Sequence, residues 1–473
     1  MAEKHHLERD GVLSDGVGHS TAAAAMTSRY NADREELAKA GFKVPILFDS
    51  KNPHSRFFLA CMDGTGNDAI DDPEHETNVG KIADQLFKRR AGGETRIGVG
   101  YVQGPGTQHG LLQRTLDGID GFTSEERAEQ MYQMFIEQAH EWKREDPNAQ
   151  ISFGGVGFSR GGDEIALLTR LVHERGIQDP SGAIYTYDSH HQIKHVEYTK
   201  PPLVPPGQVA QAVALFDAVG TGNEVRNDDR RLPSTVISGL QLFAMDEKRS
   251  LFKSDHIIDP GISADGRFAG IYVPGAHSDV GGGYHRDGLS TRAGNMVIDY
   301  LNRLSDKPFL QTSIEPEDPR LNVVHRSEEG MFIYRITGKV NRLEPEGYNE
   351  LLVPRRDMGK VPDPYNAEPV DEAIRARYEV HSLYETATPL EGTGSRNAAE
   401  HALSLQVDHM LAAAQHGDWG TFMRDNQRLA ALDAGRDLRA QAGAAMDAAE
   451  QSALHQPVPQ AAVPLMETRG PMR

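Results

Sequence analysis

A serine bracketed by glycines, Gly157-Phe158-Ser159-Arg160-Gly161, follows the apolar run of residues 151–156 and precedes a helical pattern that begins near Asp163. A hydroxyl held there is suited to attack a carbonyl carbon. The turn from strand to helix must be so tight that its flanking positions lack a Cβ, and the strained corner lifts the serine to the tip of the sheet. Gly154, Gly155, Gly157, Gly161 and Gly162 supply that freedom. An ordinary glycine-rich turn is the plain alternative, and the strand and helix in register favour the catalytic reading over it. A dinucleotide loop fits worse: after Gly155 and Gly157, the third glycine of that fingerprint belongs at position 160, which is Arg160.

Serine is a poor nucleophile until a base takes its proton, and in this strand-turn-helix setting the order along the chain is Ser, acid, His. Among the 20 histidines, His277 stands out. It lies in Pro274-Gly275-Ala276-His277-Ser278-Asp279-Val280-Gly281-Gly282-Gly283-Tyr284, where a strand at 268–273 delivers it onto a glycine-rich loop. For the acid, Leu215-Phe216-Asp217 ends an apolar run with a carboxylate that can bond the far ring nitrogen and fix the tautomer. Asp279 is the alternative acid, although a residue two positions from His277 is equally placed to stabilise its own turn. The oxyanion would be held by the N–H of Arg160 and by the turn Asp63-Gly64-Thr65-Gly66-Asn67-Asp68, with Gly64 and Thr65 as donors. The oxygen-bearing residues Asp63, Asn67, Asp68, Asp71 and Asp72 do not match a calcium-loop spacing, and His190, His191 and His195 read as solvated loop residues. No metal and no cofactor is expected.

Those residues need a scaffold that presents several strand ends side by side. Residues 56–62, 96–102, 151–156, 209–216 and 268–273 read as short apolar strands, alternating with helical stripes such as Val79, Ile82, Leu86 and, behind a Thr123/Glu126 capping box, Ala128, Met131, Phe135, Trp142. That rhythm predicts an α/β fold of the α/β-hydrolase type: a mostly parallel sheet flanked by helices, with inserted cap segments near 178–206 and 218–240. Residues 1–50 read as a loosely packed polar arm, 51–390 as the catalytic domain, 397–454 as a helical C-terminal appendage, and 455–473 as a disordered tail.

Composition narrows the partners. A formal net charge of −19 argues against nucleic acid and against long-range attraction to anionic membranes. It leaves a local apolar rim free to meet lipid. The single cysteine, Cys61, sits in an apolar run and reads as core. The N-terminus shows no signal-peptide pattern and no stretch approaches a membrane span, so synthesis in the cytoplasm with export by a route that ignores signal peptides is expected.

Seven segments in order resemble the type VI secretion phospholipase effectors of the first lipase family: Met62-Asp63-Gly64-Thr65-Gly66-Asn67-Asp68, Thr77-Asn78-Val79, Gly104-Pro105-Gly106-Thr107, the Ser159 pentapeptide, Phe216-Asp217-Ala218-Val219-Gly220, Ala244-Met245-Asp246-Glu247-Lys248-Arg249 and the His277 loop. The resemblance covers roughly residues 55 to 310. It implies hydrolysis of acyl esters of membrane phospholipids by an antibacterial toxin, with Ser159, Asp217 and His277 as nucleophile, acid and base. It further implies a cognate immunity protein, a secretion-machine partner and delivery into a target cell by a type VI machine, with a type IV machine as the other route. Ala218 departs from the threonine the family usually carries after its acid. Two rival readings are a carboxylesterase acting on soluble esters, and an inactive hydrolase-fold scaffold working through its C-terminal helices.

Overall fold

A computed structural model describes residues 6–384 except positions 66, 68, 71, 105–123, 188–192, 221–227, 330–333 and 336. Its strands in chain order are β1 (Gly18–Thr21), β2 (Lys43–Pro45), β3 (Ser55–Met62), β4 (Ile97–Val102), β5 (Gln150–Phe158), β6 (Ala183–Tyr187), β7 (Ile193–Tyr198), β8 (Gln211–Phe216), β9 (Val236–Ala244), β10 (Ser254–Asp255), β11 (Gly261–Ile262), β12 (Phe268–Val273), β13 (Val323–Arg326), β14 (Tyr348–Asn349) and β15 (Val380–Ser382). The helices are α1 (Ala24–Ala40), α2 (Asn78–Ala91), α3 (Ser124–Glu145), α4 (Arg160–Arg175), α5 (His277–Gly281), α6 (Gly288–Arg303) and α7 (Glu372–Arg375). Among the described residues no helix is long and apolar enough to cross a membrane.

Seven strands form the central sheet in the order β11-β12-β9-β8-β5-β3-β4. All neighbours from β12 to β4 run parallel, and only the short edge strand β11 is antiparallel. Parallel pairs need long crossovers, which α2, α3 and α4 supply. The register brings the carboxyl ends level: Met62 faces Gly157, Phe158 faces Phe216, and Phe216 faces Leu242. Loops leaving those ends therefore meet along one rim, the place where open α/β sheets bind ligands.

The apolar run of β3 is continuous because both faces are covered. Phe57, Leu59 and Cys61 join Val79, Ile82 and Leu86 of α2 and Met296 and Val297 of α6 in one core. Phe58, Ala60 and Met62 join Met131, Phe135 and Trp142 of α3 and Ile165 and Leu168 of α4 in the other. This is the predicted α/β-hydrolase architecture.

Two regions differ from the sequence expectation. Residues 18–45, read as a loose arm, carry α1 with Tyr30 and Leu37 buried, and the Tyr30 hydroxyl donates to Pro274 O at 2.7 Å. Its inward stripe is sparse and includes the carboxylate of Asp33, paired with Arg29 at 2.7 Å, so no apolar period shows. The supposed insertion at 218–240 runs into β9, a fully buried central strand. Ser238 and Gln241 break its apolar pattern, yet both are satisfied inside: Tyr300 Oη donates to Ser238 Oγ at 2.9 Å, and Gln241 Nε2 donates to Asp255 O at 2.7 Å. The segment near 178–206 contains the antiparallel hairpin of β6 and β7. The expected C-terminal helices and tail, Thr123, His190, His191 and the Pro105-Gly106-Thr107 motif lie outside the described residues.

Candidate active site

Ser159 stands between β5 and α4 with φ 56° and ψ −125°. It and Asp217, at φ 40°, are the two non-glycine residues of positive φ among those described. L-residues held there carry strain that persists only where the surroundings enforce it. The surroundings here are backbone: a Cβ on Gly157 would lie 2.3 Å from Gly161 O, and one on Gly161 would lie 2.1 Å from Met62 O. Ser159 N–H donates to Phe216 O at 3.1 Å, and Val219 N–H donates to Ser159 O at 3.2 Å. The glycines of the pentapeptide are thus required by close approach.

Asp217 leaves the end of β8, next to β5, and is wholly buried. Its Oδ2 accepts from His277 Nδ1 at 2.6 Å, which leaves Nε2 as the nitrogen for proton exchange. A residue that sequence reasoning missed completes the pair. Arg342 donates to Oδ1 at 2.8 Å and to Oδ2 at 3.0 Å, and Ala244 N–H adds a bond to Oδ1 at 3.0 Å. Burial pushes the Asp217 carboxyl up, but the Arg342 charge and the His277 bond outweigh it and hold it well below the usual carboxylate range. For His277, burial lowers the pKa and Asp217 opposes that, the net direction being down.

Aromatic rings frame the imidazole. Phe158, beside Ser159, lies 4.6 Å from the His277 ring between centroids, and Phe252 meets it edge-on at 5.2 Å. Arg249 sits 3.5 Å over Phe252 and is paired through two bonds with the buried Glu247, whose Oε2 accepts from His277 N–H at 3.3 Å. Burial raises the Glu247 carboxyl, but Arg249 brings it down to about 2. No hydrogen bond joins the Ser159 hydroxyl to His277 among the described residues, and such bonds often tighten only once substrate is bound.

The loop after β3 lies against Ser159, since a Cβ on Gly64 would come 3.1 Å from Ser159 Cβ. Of the two loop donors expected there, Gly64 N–H is already taken by Asp63 Oδ1 at 2.8 Å. The hydroxyl of Thr65, the other, accepts from Arg160 Nε. Asp63 anchors the loop by accepting also from Thr77 Oγ1 at 2.9 Å and Tyr101 Oη at 2.8 Å, and burial lifts its carboxyl to about 6 against those bonds. The alternative acid, Asp279, is turned elsewhere. Its Oδ1 meets His325 Nδ1 at 2.5 Å, and its Oδ2 accepts from Ala276 N–H and His325 N–H, both at 2.9 Å. The far nitrogen of His325 reaches Asp15 Oδ2 at 3.0 Å. The structure thus brings Ser159, Asp217, His277, Arg160 and Thr65 to one rim and ties Asp279 into a separate buried clamp.

A strained serine at a strand-to-helix corner, a carboxylate on the next strand and a histidine from beyond a later one define an α/β-hydrolase. The family model for the catalytic domain of Tle1-like phospholipase effectors of the type VI secretion system matches residues 56–307, and the chain belongs to that family. Among curated proteins none matches. A solved structure of the Tle1 effector bound to the VgrG spike from the type 6 secretion system is 19% identical, with 51% of this chain and 52% of that chain covered and a TM-score of 0.31. The chain therefore spans about half the length of that relative. The butyrate-bound Est2 esterase of Thermogutta terrifontis is 11% identical over 55% of this chain and 86% of its own, with a TM-score of 0.27. The carboxylesterase Cest-2923 of Lactobacillus plantarum is 12% identical over 55% and 84%, with a TM-score of 0.22.

Proposed function

We propose that this protein is a serine hydrolase that cleaves acyl esters of membrane phospholipids in the manner of a phospholipase A. His277 Nε2 takes the proton of Ser159 as Oγ bonds to the acyl carbon. The resulting oxyanion is held by the backbone N–H groups of Arg160 and Thr65. Collapse of the tetrahedral species breaks the bond to the lysophospholipid oxygen, which leaves with the proton from His277. Water, deprotonated by the same ring, then frees the fatty acid. The observation that carries this reading is the 2.6 Å bond between Asp217 and His277 beside a serine held at φ 56° on the adjacent strand.

Family membership supports the lipid substrate, as does the aromatic setting of Phe158 and Phe252 around the imidazole. It supports the biological role too: an antibacterial effector, exported by a type VI machine in contact with a spike component and neutralised in the producing cell by an immunity protein. A fluorophosphonate probe and liposomes of mixed-chain phosphatidylethanolamine and phosphatidylglycerol test the chemistry. Ser159→Ala should lose both probe labelling and fatty-acid release, with its circular dichroism unchanged; release at the parental rate would end the proposal. Mass spectrometry of the lysolipid products identifies the acyl position. Hydrolysis of soluble esters with no release from liposomes would favour a carboxylesterase.

A further inference from the structure

Arg342 lies beyond residue 307, where the family match ends, yet its buried guanidinium grips the carboxylate at the centre of the site. Nη1 meets Oδ1 of Asp217 and Nη2 meets Oδ2, the same oxygen that His277 Nδ1 reaches. With Ala244 N–H on Oδ1, four donors hold one carboxylate and leave it no freedom to rotate. The segment that delivers Arg342 is itself fixed. Val340 N–H donates to Lys248 O at 2.9 Å, Tyr272 Oη donates to Arg342 O at 3.1 Å, and β14 pairs with β10.

We propose that Arg342 is a positioning residue for the hydrolytic reaction: its planar fork fixes the orientation of the Asp217 carboxylate and offsets its charge, so that His277 is aligned yet remains a neutral base. This rests on the Ser159, Asp217 and His277 reading above. The other charged groups facing His277 each have a partner of opposite sign. Glu247 is paired with Arg249, and Asp279 of α5 shares His325 with Asp15, while Tyr284 is the nearby phenol. Arg342 is the cation set directly against the charge of the triad carboxylate. Two donors sharing one oxygen stand about 5 Å apart, so removing the cation should strengthen the grip of Asp217 on an imidazolium by about one to two pH units. A merely structural arginine would cost stability and leave the pH profile in place.

The test compares the full chain with its Arg342→Met, Arg342→Lys and Ser159→Ala variants on a soluble p-nitrophenyl ester between pH 4.5 and 9. For Arg342→Met the acid limb of kcat/KM should move up by about one to two pH units. Plateau kcat should fall at least about tenfold with KM within about twofold, because the arginine touches no substrate. Lysine keeps the charge without the fork, so Arg342→Lys should hold the limb near its parental pH while recovering only part of kcat. An unmoved limb in Arg342→Met, or parental kcat in Arg342→Lys, overturns the proposal; the lysine variant decides alone where the methionine variant does not fold. Activity surviving in Ser159→Ala defeats the nucleophile assignment instead, whereas a dead Ser159→Ala beside an unmoved Arg342→Met limb defeats only the role of Arg342.

Discussion

His325 is held between two carboxylates, Asp279 at 2.5 Å and Asp15 at 3.0 Å, with all three side chains out of contact with solvent. Burial opposes its protonation, but the two acids outweigh burial and raise its pKa from 6.5 to about 9. The folded protein therefore holds that proton more tightly than the unfolded chain does. The clamp's contribution to stability is complete below pH 6.5 and falls away as the pH rises toward 9. At roughly 1.4 kcal/mol per pH unit the loss is about 3 kcal/mol, a large part of the stability of an ordinary domain. Urea titrations of the full chain at pH 6.5 and 9.5 measure it, and the same pair on His325→Gln removes the background from other groups. The parental protein should lose about 3 kcal/mol more than the variant across that window. Equal losses in the two proteins would mean that His325 carries no bound proton in the fold, and the electrostatic account of the clamp would be wrong.

Two further substitutions separate chemistry from scaffold. Asp217→Asn should lower kcat on a soluble ester by about ten-thousandfold through loss of the tautomer-fixing charge. It should also destabilise the fold by about 3–5 kcal/mol, because Arg342 is left buried without a counter-ion; kcat within tenfold of the parent would remove Asp217 from the mechanism. Gly161→Ala places a Cβ 2.1 Å from Met62 O, so it should cost about 1–3 kcal/mol in a thermal melt and displace the nucleophile enough to abolish probe labelling. A variant that melts and labels like the parent would contradict the tight elbow.

What was legible in the sequence was local. The elbow could be read because its glycines lie within two residues of Ser159, and the parallel strands because burial on both faces gives unbroken apolar runs such as Arg56-Phe57-Phe58-Leu59-Ala60-Cys61-Met62. Asp217 and His277 drew notice because the first directly follows an apolar strand and the second lies on the glycine-rich segment beyond another. β9 escaped because Ser238 and Gln241 interrupt its pattern, and only the fold reveals that Tyr300 and Asp255 satisfy them. α1 escaped because its buried stripe includes an ion-paired carboxylate. Arg342 carried no signal at all. It stands in a polar stretch, Val340-Asn341-Arg342, and nothing nearby indicates a partner 125 residues away. That Gly64 N–H is engaged depends on one side-chain rotamer, that of Asp63, which no spacing rule specifies.

The missed residues share a physical role. The strands between 55 and 273 bring hydroxyl, carboxylate and imidazole to one rim, but they do so by burying charges that cannot stay buried alone. Compensation comes from chain outside the matched stretch. Arg342 answers Asp217, and His325, shared with Asp15, answers Asp279, whose other oxygen bonds Ala276 N–H at the head of the helix that carries His277. Glu8 and Asp10 in turn neutralise the buried Arg286, and β1 pairs with β13 to bring that N-terminal segment alongside. His277 is thus fixed from two sides by ion pairs whose far members come from opposite ends of the described chain. A fragment limited to residues 56–307 would retain Ser159, Asp217 and His277 and lose the charges that hold two of them in register.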